Sequence, residues 1–216
     1  MTMTAKIIGV IQIKGGAGRS TLSTNLAGEL SKIGRTVLID CDMPQGTSAS
    51  WFAVRKGADK VDNLVVDTVT NHRELIEKVE RYQDADFIVL DGPPRIAELT
   101  RAILMLANLC LIPVGASAAE LWATNDLLLL VKEAKKLRKI KTRVVWTRYR
   151  PNTRLAQELT VLAEKELGLK ALETALGMRV AFMEALGSGL TAAEVTDASA
   201  KEEVRSMVAE VCKIIG

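Results

Sequence analysis

The amino-acid sequence predicts an α/β protein whose mostly parallel, twisted sheet is flanked by helices on both faces. Three observations lead to this fold class. Short apolar runs alternate along the chain with longer segments of helical periodicity. Each run is apolar on both of its faces, as parallel strands covered by helices on two sides are. A glycine-rich loop separates the first run from the first helical segment.

The predicted elements follow from hydrophobic periodicity. Leu22, Leu26 and Leu30 share one face of a helix predicted over 20–33, which ends at Gly34. Segment 68–82 is predicted to be helical, polar and outside the core of the sheet. Segment 201–215 carries one apolar face and is predicted to dock on the core as a helix. Buried strands are predicted at 7–13, 36–39, 87–90, 109–114 and 144–147.

Length and composition fit one domain spanning 1–216, with 48% hydrophobic and 25% charged residues. Three cysteines without a CxxC pair argue against a disulfide framework or a zinc site, and favour a reducing cytoplasm. The chain lacks an apolar run of about 18 residues and has no signal-peptide pattern at its start, so we expect no membrane partner. Aromatic residues are few, and Trp51, Trp122 and Trp146 are interpreted as packing residues.

The glycine-rich loop has the sequence KGGAGRST and opens the first predicted helix. Glycines allow a tight turn in which successive backbone N–H groups point at phosphate oxygens, and the helix N-terminus adds positive charge. A serine hydroxyl at the end of such a loop can ligate Mg²⁺, which makes Ser20 a candidate metal ligand. The sequence therefore predicts a nucleotide site formed by Lys14, Gly15, Gly16, Ala17, Gly18, Arg19, Ser20 and Thr21.

This loop resembles the deviant Walker A motif of the ParA/MinD superfamily, usually written KGGxGK[ST]. The resemblance implies a P-loop ATPase of the short ParA type, with ATP and Mg²⁺ as ligands. It also implies an ATP-bound homodimer in which Lys14 reaches across to the partner's phosphates, which makes Lys14 a candidate catalytic residue. Similarity to the family extends over roughly 7–148, with a weaker match over 179–194.

Arg19 departs from the family motif, which has a lysine at this position. Lysine is a compact charge whereas arginine is a planar fork, so the two cannot place a donor at the same point. Three explanations stay open: a natural variant that still hydrolyses ATP, a natural slow switch, or an engineered replacement. The alternative function is accordingly a dimeric nucleotide-binding module with little or no hydrolysis.

Two acidic residues at predicted strand ends complete the expected site. Asp42 matches the second aspartate of a D-x-D segment that resembles the family's, and a carboxylate there can orient the attacking water. Met43 is one residue more than the family pattern has before Pro44. Asp91 ends a run that resembles a Walker B strand and is the second candidate Mg²⁺ ligand, acting through a water. Arg148 resembles a family position that frames the nucleotide base.

Basic residues cluster between 132 and 154, where ten Lys or Arg residues accompany one acidic residue, Glu133. Such clustering is typical of a surface for phosphate backbones, although a solvated helix face gives the same pattern. The resemblance implies DNA binding without sequence preference once ATP has formed the dimer. The candidate DNA-binding residues are Lys132, Lys135, Lys136, Arg138, Lys139 and Lys141.

The resulting functional hypothesis is an ATPase that partitions or positions a cargo. By resemblance, an ATP dimer binds nucleoid DNA in the cytoplasm, and a cargo adaptor protein stimulates hydrolysis and release. The cargo is a plasmid, a chromosome origin or a large protein assembly such as a carboxysome. A metabolic or redox enzyme on the same scaffold is the third class, and the cysteines do not resemble the cluster ligands that a redox relative needs.

Overall fold

The computed structural model describes residues 5–43, 45–57, 63–95, 97–150, 158, 165 and 168–216. The strands form one parallel sheet in the order β3-β2-β4-β1-β5-β6. In chain order the elements are β1 (Lys6–Val10), α1 (Arg19–Leu30), β2 (Thr36–Asp40), α2 (Thr47–Gly57), β3 (Leu64–Thr68), α3 (His72–Arg81), β4 (Phe87–Asp91), α4 (Glu98–Leu106), β5 (Leu109–Gly115), α5 (Ala118–Trp122), α6 (Asn125–Leu137), β6 (Lys141–Thr147), α7 (Val180–Gly187) and α8 (Ala198–Ile215).

Helices cover both faces of this sheet, which confirms the predicted fold class. Alternate strand residues point to opposite sides, so Ile7 joins one buried cluster while Ile8 joins the other. The first cluster includes the apolar residues of α3, α4, α5 and α6. The second includes those of α1, α2, α7 and α8. The layers are therefore helix, sheet and helix, and β1 lies inside the sheet between β4 and β5.

The edge strand β3 was not predicted from the sequence. It pairs with β2 alone, and Val65 is exposed while Asp67 binds Lys78 and Tyr82. An edge strand needs no continuous apolar run, so its pattern resembles a loop. The first residue of the segment predicted to be helical, Thr68, belongs to this strand, and the helix itself begins at His72. The expectation that this segment lies outside the core is wrong, because Leu75 and Val79 of the helix are buried in the first cluster against the sheet.

The carboxyl-terminal helix docks on the core as predicted. Met207 and Val211 of α8 are fully buried in the same cluster as Leu26 of α1. Trp122 corrects another expectation, because 63% of this residue is exposed on α5 whereas Trp51 and Trp146 are buried. In the part of the chain that the structure describes, every helix is too short or too polar to cross a bilayer.

Candidate nucleotide-binding site

The glycine-rich loop lies at the carboxyl end of β1, where ligands bind in open α/β sheets. Gly16 and Gly18 have φ angles of 75° and 92°, which glycine adopts without the strain of a side chain. Gly18 is also the N-cap residue of α1, and no side chain caps the first N–H groups of that helix. Uncapped N–H groups with the positive end of a helix behind them suit a phosphate group.

Two neighbouring cavities adjoin the loop, and both are lined by Gly16, Gly18 and Thr21. The first has a volume of about 430 Å³ and is called the polar cavity, because Arg19, Ser20 and Asp42 are among its lining residues. The second has a volume of about 210 Å³ and is largely apolar. A polar cavity for phosphates beside an apolar cavity for a base fits a nucleotide. The second cavity is lined further by Thr147, Arg148, Leu176, Gly177, Met178, Arg179, Phe182 and Met183.

The structure brings Arg148 to the apolar cavity, where the sequence analysis expected the base, but most of the wall comes from segment 176–183. In the sequence, the only signal for this segment is the weak family match from residue 179 onward. Backbone hydrogen bonds bring the segment to β6, including one of 2.8 Å from Leu176 N to Trp146 O. These partners are far apart in the sequence, so periodicity gives no hint of the wall.

Lys14 is held by its own protomer in this structure. Its Nζ lies 3.4 Å from Glu120 Oε1, and the same oxygen accepts a hydrogen bond of 2.6 Å from Arg148. The other carboxylate oxygen of Glu120 accepts a hydrogen bond from the backbone N–H of Gly115 at the end of β5. Arg148 has a φ of 51°, unusual for a residue with a side chain. Glu120 thus joins two predicted site residues, and the sequence analysis did not identify it.

Asp91 is buried at the carboxyl end of β4, beside the loop. Ser48 and Ser23 donate hydrogen bonds of 2.7 and 3.0 Å to its two oxygens. Burial and the charge of Asp40, its register partner on β2, raise the pKa of Asp91 to about 6, although hydrogen bonds from Ser48, Ser20 and Ser23 oppose the rise. A cation at this position would relieve the repulsion between the two carboxylates.

The residues beside Asp91 fit Mg²⁺ only as part of a complex with phosphate. Ser20 and Asp91 supply hard oxygen ligands, and Mg²⁺ prefers such ligands together with water and phosphate oxygens. Within the described residues, no group of three or more His, Cys, Asp or Glu side chains is arranged to hold a metal ion. These two residues would hold the ion when a nucleotide supplies the remaining oxygens.

Asp40 and Asp42 have different environments although they are two residues apart. Asp40 is fully buried, and its oxygens accept hydrogen bonds of 3.0 Å from the backbone N–H groups of Asp42 and Ala49. Asp42 lines the polar cavity, and its carboxylate lies 3.5 Å from the guanidinium of Arg19. Asp40 therefore fixes the backbone that carries Asp42, a contribution that the sequence analysis missed. Pro44, in the same segment, lies outside the described residues.

Residues 8–192 match the model of the CobQ/CobB/MinD/ParA nucleotide binding domain. The chain belongs to this family. A relative with 28% identity over 209 residues, covering 94% of this chain and 95% of its own, is the maintenance of carboxysome distribution protein A of Halothiobacillus neapolitanus. Another, also 28% identical over 211 residues and covering 84% of each chain, is the chromosome-partitioning ATPase Soj of Thermus thermophilus.

The family fold is also seen in a solved relative. The septum site-determining protein MinD of Pyrococcus horikoshii, in complex with Mg-ADP, superposes with a TM-score of 0.79 at 16% identity, and the match covers 98% of both chains. At this level of identity the likeness concerns the fold. The nucleotide-binding domain of the ParA/MinD type is thus established for this chain by the family match and by its architecture.

The predicted DNA-binding residues lie at the opposite end of this ParA/MinD-type sheet. Lys141 begins β6 and Lys6 begins β1, whereas the glycine-rich loop follows the carboxyl end of β1. A cavity of about 630 Å³ there is lined by Lys6, Asn108, Lys135, Arg138, Lys139, Ile140, Lys141 and Ile215. Lys132 lines a neighbouring cavity with Lys135 and Lys165, and Lys136 is exposed on α6. Arg154, the last residue of the predicted basic cluster, is outside the described residues.

Two of these basic residues also serve the fold. Arg138 donates hydrogen bonds to the carbonyl oxygens of Leu104, Met105 and Ala107, which end α4. Lys141 donates to the carbonyl oxygen of Ile214 near the end of α8. Basic side chains at a helix C-terminus satisfy its free carbonyl groups and stabilise its dipole. Lys135 and Lys139 are therefore better test positions for DNA binding, because both are exposed.

Proposed function

We propose that this chain is an ATP-dependent partitioning or positioning ATPase that dimerises on ATP, binds DNA without sequence preference and leaves the DNA when a partner protein stimulates hydrolysis. One observation carries the proposal. The glycine-rich loop, Asp42 and Asp91 meet at the carboxyl ends of three adjacent strands, where a polar cavity and an apolar cavity share lining residues of the loop. That arrangement supports binding and hydrolysis of a nucleoside triphosphate.

Each group has a chemical task in this proposal. Backbone N–H groups of the loop and of α1 bind the phosphates, and the apolar cavity beside Arg148 takes the base. Ser20 and Asp91 would hold Mg²⁺, which would supply charge neutralisation for the phosphates. Asp42, which lines the polar cavity, orients the water that attacks the terminal phosphate.

Dimerisation requires a change at Lys14. In the monomer its ammonium group lies against Glu120 of its own chain, so it has to leave that carboxylate before it can reach a partner's phosphates. The side chain of Lys14 is 39% exposed and that of Glu120 is 11% exposed, so solvent screens the pair from the Lys14 side and its loss costs on the order of 1 kcal/mol, while Glu120 stays paired with Arg148. The attraction of a nucleotide that carries several negative charges is enough to offset this loss.

DNA binding in this proposal uses the basic surface formed by Lys135, Lys136 and Lys139 with Lys6 and Lys141. This surface and the glycine-rich loop lie at opposite ends of the sheet, so bound DNA does not touch the nucleotide. ATP therefore controls DNA binding through the dimer, which doubles the number of basic surfaces on one particle. Two linked weak surfaces bind a long duplex far more tightly than one.

The cargo is proposed from the relatives alone. One relative is named for carboxysome distribution and another for chromosome partitioning, and both are matched over more than four fifths of their length. We propose a cargo of one of these kinds, or a plasmid, recognised through an adaptor protein that stimulates hydrolysis.

The first experiment measures binding to duplex DNA of arbitrary sequence with ATP, with ADP and without nucleotide, at physiological salt and with Mg²⁺. We expect binding with ATP alone. Lys14→Ala should abolish that binding because the dimer does not form, while Lys32→Ala, on the turn after α1, serves as the matched control. Equal binding in all three nucleotide states would remove the switch on which the proposal depends.

A second candidate function is a nucleotide-loaded dimer with little or no turnover. The observation that favours it is the environment of Arg19. Its guanidinium donates hydrogen bonds to backbone carbonyl oxygens of this chain, so fewer of its N–H groups are available to a phosphate. Adaptor-independent and adaptor-stimulated rates of phosphate release separate the two candidates, because the second predicts a negligible rate in both cases.

A further inference from the structure

Arg19 is the first residue of α1, and only 7% of it is exposed. Its Nε donates a hydrogen bond of 2.9 Å to the carbonyl oxygen of Gly92. One terminal nitrogen donates to the carbonyl oxygens of Gln12 and Lys14, at 2.7 and 2.9 Å. Three of the five guanidinium N–H groups are therefore directed at backbone oxygens of this chain.

The other terminal nitrogen of Arg19 lies 3.5 Å from Asp42 Oδ2, and only 14% of the Asp42 side chain is exposed. Gln12 follows β1, Gly92 follows β4 and Asp42 follows β2, and these three strands are neighbours in the sheet. The guanidinium thus connects three adjacent strand ends around the polar cavity. If the side chain at position 19 bound only phosphate, it would not donate hydrogen bonds to these three carbonyl oxygens.

A lysine at position 19 cannot reproduce these contacts. An ammonium group donates three hydrogen bonds from a single atom, whereas the arginine fork donates in one plane from three separate nitrogens. The backbone oxygens and the carboxylate lie around different nitrogens of that fork. The contacts of this loop therefore depend on the arginine fork. Replacing the lysine of the family motif by Arg19 changes the hydrogen bonds of the loop as well as the size of the cation.

We propose that Arg19 is a positioning residue that fixes the Asp42 carboxylate at the polar cavity, and that it does not replace the phosphate-binding lysine of the family motif. The role of Asp42 in orienting water rests on the function proposed above. Phosphate binding then falls to the backbone N–H groups of the loop and of α1, with Lys14. Replacing Arg19 by lysine should consequently not increase the rate of ATP hydrolysis.

The test compares Arg19→Lys, Arg19→Gln, Asp42→Asn and the double variants of Arg19→Lys and of Arg19→Gln with Asp42→Asn. Arg101→Lys is the matched control, because Arg101 is exposed on α4. Three quantities are measured: the Tm of the nucleotide-free protein, the affinity for a fluorescent non-hydrolysable ATP analogue with Mg²⁺, and the rate of ATP hydrolysis.

We expect Arg19→Lys to lower the Tm by about 2–4 °C, since it loses about one net hydrogen bond's worth of stability. Both Arg19 variants should bind the analogue within about threefold of the wild type, because the backbone groups that bind phosphate are unchanged. Hydrolysis should fall in Arg19→Lys, and adding Asp42→Asn should lower the rate little further, since both changes act on the same carboxylate.

A phosphate-binding role for Arg19 makes the opposite forecast. Arg19→Gln would then weaken binding of the analogue by roughly 10- to 100-fold, as loss of a charged hydrogen bond does. Arg19→Lys would retain binding and hydrolyse ATP at least as fast as the wild type. Either result overturns the proposal.

Failure of the proposed ATPase function is distinguishable from failure of this inference. If the wild type hydrolyses no ATP, the stability and affinity measurements still decide the role of Arg19. The destabilisations caused by Arg19→Gln and Asp42→Asn, compared with that of their double variant, should then be non-additive, because each change removes the ion pair between these two side chains. Additive destabilisations would show that Arg19 does not hold Asp42, and would overturn the proposal.

Discussion

Asp91 shows how a single residue connects stability with ligand binding. Its carboxylate is 1% exposed and stands beside Asp40, so the ionised form is costly in the nucleotide-free protein. Hydrogen bonds from Ser48 and Ser23 reduce that cost but do not remove it. Because the Asp40 and Asp91 carboxylates repel each other, binding of a cation between them should stabilise the folded protein.

This repulsion predicts a pH dependence. The folded-state pKa of Asp91 is about 6 and the ordinary value is 3.8, so the folded protein binds the proton more tightly. Protonation of Asp91 therefore stabilises the folded protein. This stabilisation is fully present below pH 3.8 and is lost as the pH rises through about 6. At pH 7–8 without nucleotide we expect Asp91→Asn to be more stable than the wild type by up to about 3 kcal/mol, at about 1.4 kcal/mol per pH unit between the two values.

Urea unfolding of both proteins between pH 3.5 and 8 measures the difference in the free energy of unfolding, with Asp84→Asn as an exposed control. The same Asp91→Asn variant should lose the stabilisation that Mg²⁺ and an ATP analogue give the wild type. A stability difference that does not change with pH would refute the assignment of the raised pKa to Asp91.

Helix α5 is short, yet its residue Glu120 binds two site residues that belong to other parts of the chain. Ser117 caps this helix by accepting a hydrogen bond from Glu120 N, and this cap fixes the backbone that carries the Glu120 carboxylate. Glu120 in turn contacts Lys14, which precedes α1, and Arg148, which follows β6. The carboxylate also accepts from Gly115 N, so the end of β5 is part of the same cluster.

We expect Glu120→Gln to favour the ATP-bound dimer, because Lys14 no longer has to leave a carboxylate. The gain is limited to about fivefold for each Lys14, or about 30-fold in the dimer dissociation constant, since the dimer frees two such side chains and each pair is worth on the order of 1 kcal/mol. Sedimentation of the protein with an ATP analogue measures it. Glu133→Gln on the exposed side of α6 is the control, and a weaker dimer in Glu120→Gln would contradict this role.

The whole molecule separates its two proposed ligands. The glycine-rich loop and the acidic residues lie at the carboxyl ends of the strands, and the basic surface lies at their amino ends. A net charge of only +3 hides this arrangement, because acidic residues elsewhere offset the basic cluster. For DNA, the local charge of the surface matters more than the total.

Changing Lys135, Lys136 and Lys139 together to Gln should weaken ATP-dependent binding to every duplex sequence alike. The slope of log affinity against log salt should become shallower by up to about 0.9 for each lost phosphate contact. Lys56, Lys201 and Arg205, changed together to Gln, are the control at equal charge, because none of them lines the cavity at the amino ends of the strands. An unchanged salt slope in the first variant would place the DNA surface elsewhere.

The sequence by itself determined the features that depend on contiguous residues. The loop Lys14–Thr21 could be predicted because its glycines, its serine and the adjacent strand and helix are neighbours in the chain. The central strands could be predicted because burial on both faces requires a continuous apolar run. The roles assigned to individual site residues remain predictions that the experiments above test.

Only the tertiary structure decided which distant groups meet. Glu120 joins Lys14 and Arg148, Gly92 accepts from Arg19, and segment 176–183 forms a wall of the apolar cavity. No periodicity records such pairs, because they arise where separate elements reach the same edge of the sheet. Strand β3 was missed for a related reason: at the edge of the sheet, its pairing with β2 forms it without an apolar run of its own.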